Sequence, residues 1–446
     1  MVAIEDVGQA AEAAAGTADG AAWRAHAAGG RGPGWLGSLV LAACALPGVM
    51  PATVQAEEAP EQGVVAFKLS GYTDAQGSTS TSSTSSGDSS ASNRRSVQSS
   101  RVAPTNVSAA SGGGGEGSGF TLGEDKRITV TSPSLYGLVP LGRQWAVEGS
   151  LTVDTVSGAS PTYYTDMSGA STMHDRRTAY DAKLTRYFER QSVALGVSRS
   201  KEDDYLSRSA SLEGRWASED QNTTWNAGLA LTNDTINPYN QVVSNARKRT
   251  REWQLGVTQA VNPRDLVQLS VSRSLASGYL NDPYKLYDDR PDRRDASIVQ
   301  LRWNHWTGLG ALKLGYRYYQ DTFRVRAHTV DVAWAIPLEG NAVFTPELRY
   351  YTQSAAAFYT DPSSDSSVYP GPSGSPSYFS NDQRLSAFGA FTVGGKVSWT
   401  LARSWTVDVK LDLYRQNTAW RLLGTGSTGL EPLTALMWQV GLAHSF

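Results

Sequence analysis

The chain has 446 residues, 40% hydrophobic, 10% aromatic and 18% charged, with 43 Gly, 13 Trp, 20 Tyr and one Cys, which excludes a small domain stapled by disulfides. Lys and Arg total 40 against 42 Asp and Glu, so no strongly basic balance marks a nucleic-acid binder, and nucleic acid is not an expected partner. A helical membrane protein would need runs of about 18 or more apolar residues, and the comparable stretch, Trp35 to Met50, lies near the N-terminus; a soluble β-rich protein or a transmembrane β-barrel remains, because in lipid only helices and closed barrels satisfy their own backbone polar groups.

In chain order, Arg24 and Arg31 precede the apolar run Trp35-Leu36-Gly37-Ser38-Leu39-Val40-Leu41, followed by Pro47, Pro51 and the small-residue site Val54-Gln55-Ala56. This is the layout of a secretory signal cut after Ala56, giving residues 1–56 as a signal peptide and 57–446 as the mature chain. Leu41-Ala42-Ala43-Cys44 also has the form of a lipoprotein box, and acylation of Cys44 is the competing outcome. Under either outcome no free thiol survives, which removes disulfides, thiolate catalysis, Cys-ligated metals and c-type haem. No cofactor or metal is expected.

A first strand is expected at Val64 to Thr73, followed by a Ser-, Thr- and Gly-rich stretch over 75–124 whose composition cannot bury enough apolar surface to order it. Beyond Lys126 the chain breaks into segments of alternating apolar and polar residues separated by Gly, Asn, Asp or Pro. One face of each collects Trp145/Val147/Leu151, Val193/Leu195/Val197, Trp225/Leu229/Leu231, Trp253/Leu255/Val257, Val267/Leu269/Val271, Val299/Leu301/Trp303, Leu312/Leu314/Tyr316 and Val330/Val332/Trp334. The clearest is Trp405 to Leu413, with five apolar residues on one face and Thr406, Asp408, Lys410 and Asp412 on the other. Short connections, such as Phe188 to Ser192 and Leu401 to Ser404, alternate with long ones near 156–175, 234–247, 277–294, 355–382 and 416–432. That asymmetry, about 16 strands, and tryptophans grouped near the short turns describe an all-β antiparallel transmembrane barrel with short periplasmic turns and long outer loops.

The last segment, Thr434 to Phe446, puts Leu436, Trp438, Val440, Leu442 and Phe446 on one face with His444. A chain ending in an aromatic residue on an alternating strand resembles the insertion signal of bacterial outer-membrane barrels, with Phe446 as its key residue. It implies the barrel assembly machinery as a partner and the outer membrane, with its lipopolysaccharide, as the location.

At Val153-Asp154-Thr155-Val156-Ser157-Gly158-Ala159-Ser160-Pro161 and Thr185-Arg186-Tyr187-Phe188-Glu189-Arg190 the sequence resembles the bacterial family known as domain of unknown function thirty-five-seventy. The resemblance covers most of the mature chain. It implies an outer-membrane barrel and an envelope redox setting, with a periplasmic redox protein as a partner, and it assigns no activity.

The faces opposite the apolar ones carry Glu148, Asp154, Asp181, Lys183, Glu213, Arg215, Glu252, Arg302, Lys313, Arg317, Asp331, Glu347, Arg349, Asp408, Lys410 and Asp412. In a barrel these are lumen-lining candidates, setting a pore's selectivity by their local field or pairing to close it. No catalytic residue is expected; His174, placed in a long loop, and His328, near a strand's outer end, are the candidates for a loop-borne hydrolase. Arg247, Lys248, Arg249 and Arg251 form a basic run suited either to lipopolysaccharide phosphates or to solvent, and Asp288, Asp289, Asp292 and Asp295 interleave with Arg290, Arg293 and Arg294 as internal loop pairs rather than an EF-hand. The sequence therefore points to an outer-membrane channel passing small solutes through a charged lumen, with a non-conducting scaffold for an envelope redox partner as the alternative.

Overall fold

The computed structural model describes residues 59–76, 126–159, 172–285, 287–362, 371–372, 374–402 and 404–446. The expected signal peptide, Cys44 and nearly all of the Ser/Gly-rich stretch lie outside the described residues.

Sixteen strands form: β1 (Val64–Gln76), β2 (Lys126–Leu141), β3 (Trp145–Ala159), β4 (Thr172–Tyr187), β5 (Gln191–Lys201), β6 (Tyr205–Ala217), β7 (Thr223–Ile236), β8 (Ala246–Asn262), β9 (Asp265–Gly278), β10 (Arg293–Trp306), β11 (Ala311–Asp321), β12 (Arg326–Leu338), β13 (Ala342–Gln353), β14 (Phe388–Ala402), β15 (Trp405–Asn417) and β16 (Leu433–Ser445). Each pairs antiparallel with its sequence neighbours, and β1 pairs β16, so the sheet closes on itself with no free edge. Closure makes the outward apolar faces one continuous belt. Val193, Leu195 and Val197 on β5, Trp225, Leu229 and Leu231 on β7, and Val409 and Leu411 on β15 are all exposed, Leu195 at 59% and Leu229 at 57%. In water such a continuous apolar exterior would drive association; around a closed barrel it is the band that faces lipid. No helix among the described residues is long and apolar enough to cross a membrane.

Tryptophan collects where the short turns lie. Trp216 and Trp225 face each other across β6 and β7, Trp145 and Trp405 begin their strands, Trp399 lies among the last residues of β14, and Trp303 on β10 donates its indole N–H to Asp265 at 2.8 Å. A ring with an apolar body and one polar tip suits a membrane interface.

The seam between first and last strands depends on small residues. Gly71 on β1 pairs Trp438 on β16, and a Cβ built on Gly71 would stand 2.3 Å from the indole, so the ring lies over the bare glycine. At the short-turn end Gly63 and Phe446 exchange two backbone hydrogen bonds of 2.9 Å, and the Phe446 ring covers Gly63 in the same way.

The expected strand count stands, with three local corrections. β1 runs to Gln76 rather than stopping at Thr73, because its partner β16 continues pairing through Leu433. The alternation of connection length breaks at Lys201–Tyr205 and Asp321–Arg326, outer connections as short as the inner ones. His174 belongs to β4, paired with Ser157, not to a loop; its flanking Thr172 and Met173 extend the ladder where their small and polar neighbours gave no alternation to see. Replacing Gly71 with Val is expected to displace Trp438 and destabilise the seam by about 1–3 kcal/mol, seen as a lower temperature at which the unboiled protein loses its compact electrophoretic mobility; unchanged mobility would show that the seam does not need the gap.

Candidate functional site

Period two places all sixteen charged candidates on the face opposite the apolar belt: Glu148 and Asp154 on β3, Asp181 and Lys183 on β4, Glu213 and Arg215 on β6, Glu252 on β8, Arg302 on β10, Lys313 and Arg317 on β11, Asp331 on β12, Glu347 and Arg349 on β13, and Asp408, Lys410 and Asp412 on β15. Twelve of them gather into two arcs, on β3 to β6 and on β12 to β15, while Glu252, Arg302, Lys313 and Arg317 stand on the strands between. On β3 and β4, Lys183 pairs with Glu148 at 3.0 Å, Arg177 holds Asp154, and Ser150 donates to Asp181; Glu213 and Arg215 continue this wall two strands on. On β12 to β15, Arg349 pairs with Asp331, and Lys410 bridges Glu347 at 2.8 Å and Asp412 at 3.3 Å. Strand order sets the arcs about half a turn of the ring apart.

The Glu347–Lys410 pair spans from β13 to β15, over β14. Gly394 of β14 pairs in register with both Glu347 and Asp412 and makes room for the latter, since a Cβ there would stand 1.9 Å from Asp412 Oδ1 and 2.6 Å from the Leu411 carbonyl. Between the arcs the charges are interspersed with amides and hydroxyls: Gln254 on β8, Ser270, Ser272 and Ser274 on β9 and Gln300 on β10 stand among Glu252 and Arg302. Both walls therefore present acid and base side by side rather than a single sign.

The outer mouth is narrowed by loops that turn inward. Leu385, from the β13–β14 connection, packs among the inward side chains Ala296, Ile298, Tyr319 and Ala327 of β10 to β12. Leu430, from the β15–β16 connection, packs on Tyr72, Ile128, Val130 and Met437. The loops then fasten to each other: Asp289 and Phe379 exchange backbone hydrogen bonds of 2.8 and 2.9 Å, and the Ser427 hydroxyl accepts from the Ala387 amide at 2.8 Å. On the far side Tyr284 reaches over to donate to Asp204, between β5 and β6, and stacks on Tyr239.

At the centre of this lattice is a buried charge cluster. Asp382 caps a single 3-10 turn, Gln383–Leu385, and takes Arg290 at 2.6 Å, Lys285 at 3.3 Å and Arg384 at 2.8 Å. Arg384 also reaches Asp282 at 2.7 Å, and Arg290 reaches Asp288 at 2.8 Å. Three carboxylates thus face three cations, and two connections far apart in sequence are tied into one body. Burial alone would raise the Asp382 carboxyl; Lys285 and Arg290 outweigh it and hold it below the ordinary carboxylate value. Asp288 shows the opposite balance, pushed up by burial more than Arg290 lowers it.

Sequence reasoning missed the partners that complete these networks. Arg177 shares the inward parity of Asp181 and Lys183. Lys248, grouped with the basic run, turns inward to Asp234 at 3.6 Å while Arg247, Arg249 and Arg251 stay outside; a strict period-two reading of β8 separates them. Asp382 and Arg384 carry no signal, because their role comes from a loop meeting another loop. Of the residues at 288–295 expected to pair with one another, Arg290 and Asp288 do so; Arg294 instead pairs with Asp321 of β11 at 2.6 Å and Asp295 with Arg273 of β9 at 3.7 Å, because both have entered β10 and meet its neighbours. His328 lies on the outward face, 2.8 Å from the Tyr316 hydroxyl.

A family model described as Protein of unknown function (DUF3570) matches residues 165–247 and 240–434. No curated protein matches the chain in sequence. Among solved structures the chain is similar to a bacterial polysaccharide outer membrane secretin (9% identity, TM-score 0.42, covering 86% of this chain and 98% of that one). It is also similar to Pseudomonas aeruginosa OccK2 (OpdF) in complex with glucuronate (9%, 0.40, 86% and 96%) and to a Pseudomonas aeruginosa FadL homologue (10%, 0.37, 86% and 90%).

Changing Asp382 to Asn leaves three buried cations short of a counter-charge, which is expected to cost the loop lattice about 3–5 kcal/mol, read as faster hydrogen exchange at the Ala356, Leu385 and Ser386 amides with the strand amides unaffected. Because the folded carboxyl of Asp382 lies below its ordinary value of 3.8, its contribution is complete above that value and is lost as pH falls through the lower folded one. The same amides are therefore expected to stay protected on mild acidification and to lose protection below that ordinary value; loss already near neutrality would contradict the assignment.

Proposed function

The chain belongs to the family described as Protein of unknown function (DUF3570), and we propose that it acts as an outer-membrane channel for small polar solutes, passing them through a lumen charged on two opposed walls. The observation that carries this reading is the closed sixteen-strand ring with ionised side chains along its inward faces. Side chains fill the interior of an eight-strand barrel, whereas about sixteen strands enclose a width that water can occupy. Both signs on the walls favour solutes that are themselves polar or zwitterionic, since each finds a complementary partner during transit. Delivery to the outer membrane would follow from export by the N-terminal signal and recognition of the terminal Phe446 strand by the assembly machinery.

The loop lattice at the mouth favours a second reading. Leu385 and Leu430 turn apolar side chains onto the inner wall, as a barrel held shut would need. In that case the protein is a scaffold for an envelope redox partner on its periplasmic side.

Reconstitution of the purified barrel in a planar bilayer separates the two readings. Discrete conductance steps support the channel; silence from protein with the mobility of a folded barrel sinks it and favours the scaffold. If steps occur, Lys410→Gln removes the cation between Glu347 and Asp412, and the reversal potential in a salt gradient is expected to move toward cation preference. No movement would take that arc out of the conducting path.

A further inference from the structure

Charge on the barrel's outer surface is distributed unlike charge anywhere else in the molecule. On the outward faces of the described strands, acidic residues occur at Asp265, at the short-turn end, and at Asp295, which Arg273 pairs. Basic residues, by contrast, follow the apolar belt on one strand after another toward the long-loop end. Arg199 follows Val193, Leu195 and Val197 on β5. Arg208 follows Trp216 and Leu212 on β6, running the other way. Arg251, Arg249 and Arg247 follow Val257, Leu255 and Trp253 on β8.

The register brings these groups side by side. Arg199 faces Arg208 directly across β5 and β6, Arg208 faces Asn233, Asn233 faces Arg249, Arg249 faces Ser277 and Ser277 faces Arg293. Like charges directly opposite each other on one sheet face destabilise it. Among the described residues no carboxylate pairs with Arg208, Arg249, Arg251 or Arg293, and all four are exposed. Guanidinium groups bordering hydrocarbon are costly unless an anion meets them, and the planar fork of arginine matches a phosphate with two parallel hydrogen bonds. Their long apolar stems also let the charged heads reach up from the belt to the headgroup level. A chain of formal net charge −2 overall has thus placed a crescent of cations where the phosphates of a surrounding leaflet would lie.

We propose that the outward basic crescent of β5 to β10, centred on Arg199, Arg208, Arg249 and Arg251, is a docking surface for phosphorylated lipid headgroups of the leaflet at the long-loop end. The juxtaposed Arg199 and Arg208 share one phosphate, which cancels their repulsion; Arg249 and Arg251, on one strand, take a second. A lipid carrying two phosphates on one headgroup suits the pair of subsites. The surface depends on the barrel spanning a membrane and is indifferent to whether the lumen conducts.

The test uses the whole protein in phosphatidylcholine vesicles titrated with lipid A, a diphosphorylated glucosamine lipid, the retained lipid being counted by native mass spectrometry after mild extraction. The variant Arg199→Gln/Arg208→Gln/Arg249→Gln/Arg251→Gln is expected to retain lipid A with an affinity lower by roughly tenfold or more, the loss of several charge-assisted hydrogen bonds. Arg415→Gln, on β15 outside the crescent, is expected to match the unaltered protein. Equal retention by the fourfold variant would overturn the proposal and leave a solvated patch. Displacement of lipid A by inorganic phosphate at comparable concentration would also overturn it, in favour of a soluble-anion site. If the fourfold variant lacks the mobility of a folded barrel, Arg208→Gln alone decides: a severalfold weaker retention supports the surface, and none refutes it.

Discussion

In a membrane every backbone N–H and C=O must find a partner within the protein, and this chain meets that demand by pairing its first strand with its last. The rest of the structure follows from closure. Once β1 lies against β16, each strand has an inside and an outside, and the two-residue period of a strand sorts its side chains between them. Apolar residues go to lipid, charges go to the lumen, and the seam requires a glycine where Trp438 must lie flat. A single-residue slip in register would invert every strand beyond it.

Closure also determines where chemistry can be built. The lumen walls are rigid ladders, so charges on them are positioned by register: Lys410 reaches Glu347 across β14, and Asp412 lies over the bare Gly394 of that strand. At the mouth there is no ladder, and order comes from loop meeting loop. The three-against-three cluster around Asp382 is an expensive device, since taking ions out of water costs as much as their attraction returns unless each is well paired. What it supplies is a definite position for two long connections over the opening. The outer surface follows a third logic, in which cations are placed beside one another for a partner that lies outside the chain.

The legibility of these layers in the sequence differs for physical reasons. Alternation is local, so the belt on β7 or β15 and the inward position of Asp408, Lys410 and Asp412 could be read directly from residue order. The strand count of sixteen followed from repeating that pattern. Strand ends were less legible: β1 extends to Gln76 because β16 is there to pair with it, and His174 is drawn into β4 by the ladder from β3. Arg177 escaped notice although its parity is that of Asp181. The meeting of Arg384 with Asp282, separated by 102 positions, has no local signature at all. The basic run at 247–251 was legible as charge but not as geometry; only the strand period divides Lys248, held inside by Asp234, from its outward neighbours.

The central claim is that one face of each strand meets lipid while the other meets water inside the ring. With Cys44, the single cysteine of the chain, replaced by serine, cysteines introduced one at a time at Val407, Asp408, Val409, Lys410 and Leu411 report on β15 alone. In reconstituted vesicles, a small charged thiol reagent is predicted to modify the cysteines at positions 408 and 410, and a lipid-soluble one those at 407, 409 and 411. Uniform labelling, or protection of both inward positions from the charged reagent in a folded barrel, would contradict the account.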